Sequence, residues 1–270
     1  MNKNRYSSVD LSSTDACDFR SLYECNETYV TRRDPNSYAA KEISLEAREF
    51  KVPNLLRTLP SNLLFSSIIE IGCATGEVLE AFPDTQIGGD EIIKKIGFDL
   101  SPSNIAAAKH RYPHITFFDS DFSAYTNASD LVVLSDILEH VPDDVSFLKK
   151  ASNLAPVTLI NLPLEDNWTN RNRNYGVEDE SGHLRAYSLE DGFKLVENAG
   201  LRVLKWHRVW VHETDYDLLR RNLRREFFGA AHSGPLLLRG LKTIVYYSAR
   251  ILPPFGRRLF PSNLFMSASK

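Results

Sequence analysis

The chain has 270 residues, 43% of them hydrophobic, which suffices for one large domain with a sizeable core. No secretory signal is expected from the polar start, Met1 to Ser13, and no run of about 18 uncharged apolar residues offers a transmembrane helix; the longest apolar candidate, Pro235 to Leu252, is broken by Arg239, Lys242 and Arg250. The net charge of −3 conceals an asymmetry: from Leu201 onward thirteen Lys/Arg face four Asp/Glu, which suits an anionic substrate or surface, or simply a solvated face. The sparse cysteines Cys17, Cys25 and Cys73 fit a reducing, cytoplasmic setting, and Cys17 and Cys25 lack neighbouring Cys or His partners, so no metal site is expected.

Residues 1–35 are polar and dotted with aromatics (Tyr6, Phe19, Tyr23, Tyr29), and read as a lid or extension. The spacing of Ile43, Leu45, Ala47, Phe50, Leu55, Leu56 and Leu59 predicts a helix over Ser37–Leu59 that Pro53 kinks or restarts. An alternation follows. Strands are expected at Ser67–Gly72, Lys95–Leu100, His114–Phe118, Leu131–Leu134, Val157–Leu162 and Leu201–His212. Helices are expected at Gly76–Ala81, Pro102–Arg111, Asp143–Leu154 and Tyr187–Ala199, the last closed by Gly200. A polar insert, 164–183, follows the fifth strand, and Tyr216–Leu252 holds two helical patterns. Asn263–Ser269 alternates apolar and polar residues as a last strand. The expected organisation is an N-terminal extension and helix, 1–60, on the lid or substrate side, and a main domain, 61–270, with inserts at 164–183 and 216–252. Strands alternating with helices predict an α/β, three-layer fold with a mostly parallel sheet covered on both faces.

Open sheets of this kind bind ligands at the carboxyl ends of their strands. The first strand runs through Glu70 into a turn bounded by Gly72 and Gly76, where small residues and a helix start bring backbone N–H groups near a ligand. Asp99 ends the second strand, where an acid can hold ribose hydroxyls or, alternatively, cap the next helix. The third strand ends in Asp119-Ser120-Asp121-Phe122; an acid followed by an aromatic suits an adenine, and Asp121 is the favoured register. The fourth ends Ser135-Asp136-Ile137-Leu138-Glu139-His140-Val141.

Together, EIGCATG, GFDLSP, DSDF and SDILEHV resemble the class I, Rossmann-like S-adenosylmethionine-dependent methyltransferases, and SGHLRAYSLE (181–190) is similar to the GHxRxYS entry to that family's next helix. The resemblance covers residues 65–212 and the final strand. It implies a sheet of seven strands with the last strand antiparallel, beside the fifth. It implies S-adenosylmethionine as cofactor, held by Glu70, Gly72, Cys73, Gly76, Asp99, Leu100, Asp121, Phe122 and Ser135. The chain departs from it at Ala74, where many members have glycine; a left-handed conformation there is disfavoured for alanine. A nicotinamide-dependent dehydrogenase fits poorly, because its first turn reads GxGxxG.

Methyl transfer needs alignment of donor and acceptor and, for a hydroxyl, removal of a proton. His183 is the favoured base; His140, after the fourth strand, is the second candidate or a pocket-lining residue. Trp168, Arg171, Arg173 and Tyr175 in the insert suit a polyhydroxylated or anionic acceptor, and Tyr29 and Tyr38 can close over the site. Arg220, Arg221, Arg224 and Arg225 lie on an amphipathic pattern that either docks on an anionic membrane or nucleotide-sugar, or packs on the sheet. The expected function is methylation of a hydroxyl or amine on a small molecule such as a sugar, glycan precursor or specialised metabolite. The alternatives are an RNA or protein methyltransferase and a non-catalytic binding protein. No nucleic-acid partner is expected, since no separate RNA-binding module and no Asn/Asp-Pro-Pro-Tyr/Phe segment is present.

Overall fold

A computed structural model describes residues 23–61, 63–85, 93–176, 179, 181–229, 247 and 251–270. The readings of residues 1–22, with Tyr6, Cys17 and Phe19, and of nearly all of Pro235–Leu252 lie outside them.

A helix, α1 (Glu27–Arg32), leads to α2 (Tyr38–Glu46), which runs without a break through a π turn (Ala47–Lys51) into α3 (Val52–Arg57). Ser37 caps α2 by accepting from the Ala40 N–H at 3.0 Å. The expected kink at Pro53 takes the form of the π turn. Proline has no N–H to give to the carbonyl four residues back, so the ladder widens there. Beside it, the Asn54 side chain donates to the Phe50 carbonyl, at 2.7 Å.

The sheet then builds in alternation: β1 (Ser67–Ile71), α4 (Glu77–Ala81), β2 (Lys94–Phe98), α5 (Pro102–Arg111), β3 (Thr116–Phe118), β4 (Leu131–Ser135), α6 (Asp144–Ala151), β5 (Val157–Leu164), α7 (Leu189–Asn198) and β6 (Arg202–Val209). After β6 come α8 (Asp215–Phe228), α9 (Pro253–Leu259) and β7 (Ser262–Ser269). The strand order is β3-β2-β1-β4-β5-β7-β6. The pairings among β1 to β5 are parallel, and β7 slots antiparallel between β5 and β6. The order reverses between β1 and β4, and the crevice at such a switch point is where open sheets bind ligands.

Both faces of the sheet are covered, and the side-chain period of two divides the strands between two cores. Ile69, Ile71, Val132, Leu134, Ile160 and Leu162 face one core; Ile68, Leu131, Val133 and Leu159 face the other. The helix ends follow local chemistry. The Asp143 side chain caps α6, and a reciprocal Ser188–Asp191 capping box starts α7. Gly200, at φ 77°, ends α7 with the bonds Gly200 N–H to Glu197 and Leu201 N–H to Val196. The amphipathic α8 packs against α2, with Phe227 and Phe228 meeting Tyr38 at ring distances of 5.6 and 5.0 Å. Its Arg220 and Arg221 pair with Asp217 on the same helix. Among the described residues no helix is long and apolar enough to cross a membrane.

Candidate active site

A cavity of about 960 Å³ opens at the carboxyl ends of β1, β2 and β4. Of the residues singled out from the sequence it is lined by Tyr29, Glu70, Gly72, Cys73, Asp99, Leu100, Asp121, Phe122, Ser135, His140 and His183. Asp121 lies at the cavity wall, and Asp119 is not among the lining residues.

The turn after β1 presents fewer free N–H groups than expected. Three of its N–H groups are spent on the end of β2 and the residue after it: those of Gly72 and Cys73 reach the Phe98 carbonyl at 2.8 and 3.0 Å, and that of Ala74 reaches Asp99 Oδ2 at 2.9 Å. The helix after it has only five residues. A ligand therefore meets the shape of the turn and its acids more than a row of free donors. Gly72, at φ 76°, has no room for a Cβ, which would come within 2.7 Å of Ile137. Ala74 holds the left-handed geometry expected to be costly, at φ 46°. Gly76 starts α4 at φ 90° and is not among the lining residues.

Asp99 does not cap α5; Ser101 does, accepting from the Asn104 N–H at 3.1 Å. The Asp99 carboxylate instead bridges Ala74 and Ser101 and locks the turns after β1 and β2 together. Glu70 is buried and its Oε2 has no hydrogen-bond partner. Burial, opposed by Lys51 and reinforced by Glu77, pushes its carboxyl up to about 8. Phe122 is buried and packs edge-on against Phe147 at 5.2 Å, with Asp121 capping the short turn it begins.

Beyond β4 lies a second polar cluster. Asp136 stands at φ 53°, a strained conformation for a non-glycine residue. It is held by Lys51 Nζ (2.9 Å), Asn161 (2.9 Å) and Ser135 (3.0 Å). Burial alone would lower the Lys51 ammonium, but the Asp136 and Glu46 carboxylates outweigh it and raise it. Glu139 is buried with neither carboxylate oxygen bonded, and burial, then Asp136, drives its carboxyl well up. His140 donates Nδ1–H to the Gly182 carbonyl at 3.0 Å, since a carbonyl can only accept. Burial, then His183, lowers its imidazole to about 4, so His140 is uncharged at neutral pH rather than titrating there. His183 places Nδ1 2.6 Å from Glu165 Oε2, and its ring meets His140 edge-on at 4.7 Å.

The role of the SGHLRAYSLE segment is visible in its bonds. Arg185 donates to the carbonyls of Val141 (2.8 Å) and Pro142 (2.6 Å), and the Tyr187 hydroxyl reaches the Leu138 carbonyl (3.0 Å) and Asp144 (2.6 Å). These side chains clamp the turn that presents Glu139 and His140.

Several residues expected at the acceptor side lie elsewhere. Tyr38 bonds Glu42 and packs on α8. Trp168 is exposed with Arg171 stacked 4.1 Å from its ring, and Tyr175 lies 4.8 Å under Arg173; none of these lines the cavity. Arg173 binds Asp179 and donates to Glu165 Oε1 at 2.8 Å, so it orients the carboxylate that orients His183. The insert folds onto itself because its guanidinium and carboxylate groups satisfy one another. Lys51, Asp136, Glu139 and Glu165 join the site although none is among the candidates drawn from the sequence. Asp136 and Glu139 share the one turn with His140, and Glu165 is the first residue past β5, both readable signals; Lys51, more than eighty positions away from them, gives none.

A family profile described as a methyltransferase domain matches residues 43–205. Among solved structures the chain is similar to the putative methyltransferase in complex with the Haloferax volcanii Trm112 methyltransferase activator, with a TM-score of 0.58 and 16% identity over 90% of this chain and 97% of that one. It is similar to the mycolic acid cyclopropane synthase CmaA1 complexed with SAH and CTAB, with a TM-score of 0.53 and 13% identity over 94% of each chain. It is also similar to the (4+2)-cyclase SpnF, with a TM-score of 0.51 and 16% identity over 87% of this chain and 82% of that one.

Proposed function

The chain belongs to the methyltransferase domain family, and from that premise we propose that it transfers a methyl group from S-adenosylmethionine to a hydroxyl or amine of a small polar molecule. One observation carries the reading: the strand-end acids Glu70, Asp99 and Asp121 and the imidazoles of His140 and His183 line one continuous cavity. Donor and acceptor ends are thereby joined. Its volume of about 960 Å³ lies at the top of the range for small-ligand sites, room for a donor beside a small acceptor.

The fit to the donor rests on Glu70. Its unpartnered Oε2 is a buried acceptor at the wall, which an ammonium group satisfies directly or through water. Asp99 has lone pairs left for ribose hydroxyls, Asp121 can accept from an adenine amine, and Phe122 gives that end an apolar wall. Bound S-adenosylmethionine supplies a methyl group on a sulfonium, and its transfer to oxygen or nitrogen leaves a neutral thioether. The chain's task is to align the acceptor and take its proton.

At the acceptor end His183 is the base. Glu165 accepts from Nδ1–H and leaves the Nε2 lone pair for the acceptor proton. Tyr29, fixed to the Ser181 carbonyl at 2.9 Å, and Tyr23, edge-on to it at 5.0 Å, give polar tips to the same wall. The neighbouring fold also serves a cyclase, so fold alone does not name the reaction.

The test is calorimetry with S-adenosylmethionine, then mass-spectrometric screening of sugar, nucleotide-sugar and lipid-linked acceptors for added CH₂. His183→Ala is expected to lower turnover by about 10²–10⁴-fold with donor affinity kept. Unchanged turnover removes His183 from the chemistry, and failure to bind the donor removes the reading as a whole.

A further inference from the structure

We propose that Glu139, His140 and His183 form a site for a divalent first-row transition-metal ion at the acceptor end of the cavity. Their ligating atoms lie within 4.8 Å of one another, and all three residues line the cavity. No zinc or other metal site was expected from the cysteines, and the sequence separates His183 from the other two by more than forty residues. The fold brings them together because the Arg185–Tyr187 clamp ties the segment carrying His183 to the turn carrying His140.

Three features mark the cluster as ligands rather than packing. First, both imidazoles are set in one tautomer. The Gly182 carbonyl takes Nδ1–H of His140 and the Glu165 carboxylate takes Nδ1–H of His183, so each Nε2 keeps a lone pair. A carboxylate or carbonyl behind the far ring nitrogen is the usual support of a metal-bound histidine. Second, Glu139 is 1% exposed and both its oxygens lack a hydrogen-bond partner. A buried carboxylate without a partner is costly, and a cation removes that cost. Third, the surrounding cations are already engaged. Lys51 binds Asp136 and Glu46, and Arg173 binds Glu165 and Asp179. The nearest ionisable partner of Glu139 is His140, Nε2 3.8 Å from Oε1, a pair that carries opposite charges only when the ring is protonated.

Two neutral imidazoles and one carboxylate suit zinc, cobalt, iron or manganese better than magnesium or calcium, which prefer oxygen donors. Ligand bonds of about 2.0–2.2 Å call for donor atoms about 3–3.5 Å apart, so small side-chain rotations close the site. Three protein ligands leave positions open toward the cavity, where oxygen groups of an acceptor can enter. A cation there lowers the pKa of a hydroxyl that it contacts, and the proton is released to water at the cavity mouth. That use of the site rests on the methyltransferase reading; the binding of the cation does not. The single Nε2 lone pair of His183 serves one role at a time, ligand with the cation bound and base without it.

The test uses the full chain, stripped with chelator and titrated with Co²⁺ without donor, read by visible absorption and by metal analysis after gel filtration. One equivalent per chain with nitrogen–oxygen d–d bands is expected. Glu139→Gln and His183→Ala are each expected to abolish the bands, and Glu165→Gln to weaken binding by about 10–100-fold. Circular dichroism checks that each variant is folded. Absence of Co²⁺ uptake by the wild-type chain, or uptake that survives both Glu139→Gln and His183→Ala, overturns the proposal. Calorimetry with S-adenosylmethionine on the same preparation separates the two readings: donor binding without Co²⁺ uptake defeats the metal site alone, and Co²⁺ uptake without donor binding defeats the methyltransferase reading alone.

Discussion

Glu70 illustrates how one residue couples ligand binding to pH. Burial raises its carboxyl from 4.5 to about 8, so between those values the folded chain holds a proton that the unfolded chain has released. The proton therefore favours the folded state below the unfolded value, and its contribution is lost as pH rises through the folded value. The stability of the wild-type chain relative to Glu70→Gln should fall as pH climbs from 4.5 to about 8 and level off above. Urea titrations at several pH values check this, and a difference independent of pH means that Glu70 is ionised throughout. An ammonium ligand favours the ionised form, so donor affinity should rise over the same window and be flatter in the variant. Ala74 and Asp136 are the other residues under local constraint. Both have positive φ, and both stand at strand-end turns lining the cavity.

At the scale of elements, the site is a set of turns that other segments hold in place. The turn after β1 is tied to β2 by Asp99, and the turn after β4 is tied to the entry of α7 by Arg185 and Tyr187. Removing the Tyr187 hydroxyl leaves the Leu138 carbonyl and Asp144 with one fewer buried donor. Tyr187→Phe should cost about 1–3 kcal/mol in urea unfolding. A cost near zero would mean that Arg185 holds the turn alone. The π turn between α2 and α3 is the other such device. It places Lys51 at the cavity wall, where its ammonium meets Asp136. Wider turns of this kind commonly accompany functional sites, and Pro53 supplies the cause here.

Across the whole molecule, the cavity draws its wall from residues between Tyr23 and His183, including the strand ends and the helices before them. Donor binding should therefore stabilise the fold as a unit. At a concentration about 100 times the dissociation constant, the gain is about 2.7 kcal/mol. For a domain of this size that is a rise of about 5–10 °C in Tm. Thermal unfolding with and without S-adenosylmethionine reads it directly, and an unchanged Tm argues that the cavity does not take the donor. Glu70→Gln should show a smaller rise.

Much of this molecule was legible in the chain itself. Short apolar runs and glycine punctuation place the strands within a few residues, because burial on both faces leaves a local trace. The acids after successive strands pointed to the ligand-binding edge, because strand ends in a parallel sheet converge there whatever the loops do. The antiparallel last strand came from the resemblance, and β7 between β5 and β6 agrees with it. The partners of each polar group were not legible. Arg173 and Tyr38 read as substrate-facing because their chemistry suits a ligand, yet their own neighbours satisfy them. Lys51, Glu139 and Glu165 acquire meaning only when distant segments meet. Sequence determines which groups are offered; tertiary packing decides which remain unpaired, because a hydrogen bond or charge is satisfied by whatever stands within about 3 Å in space and not by the next residues along the chain.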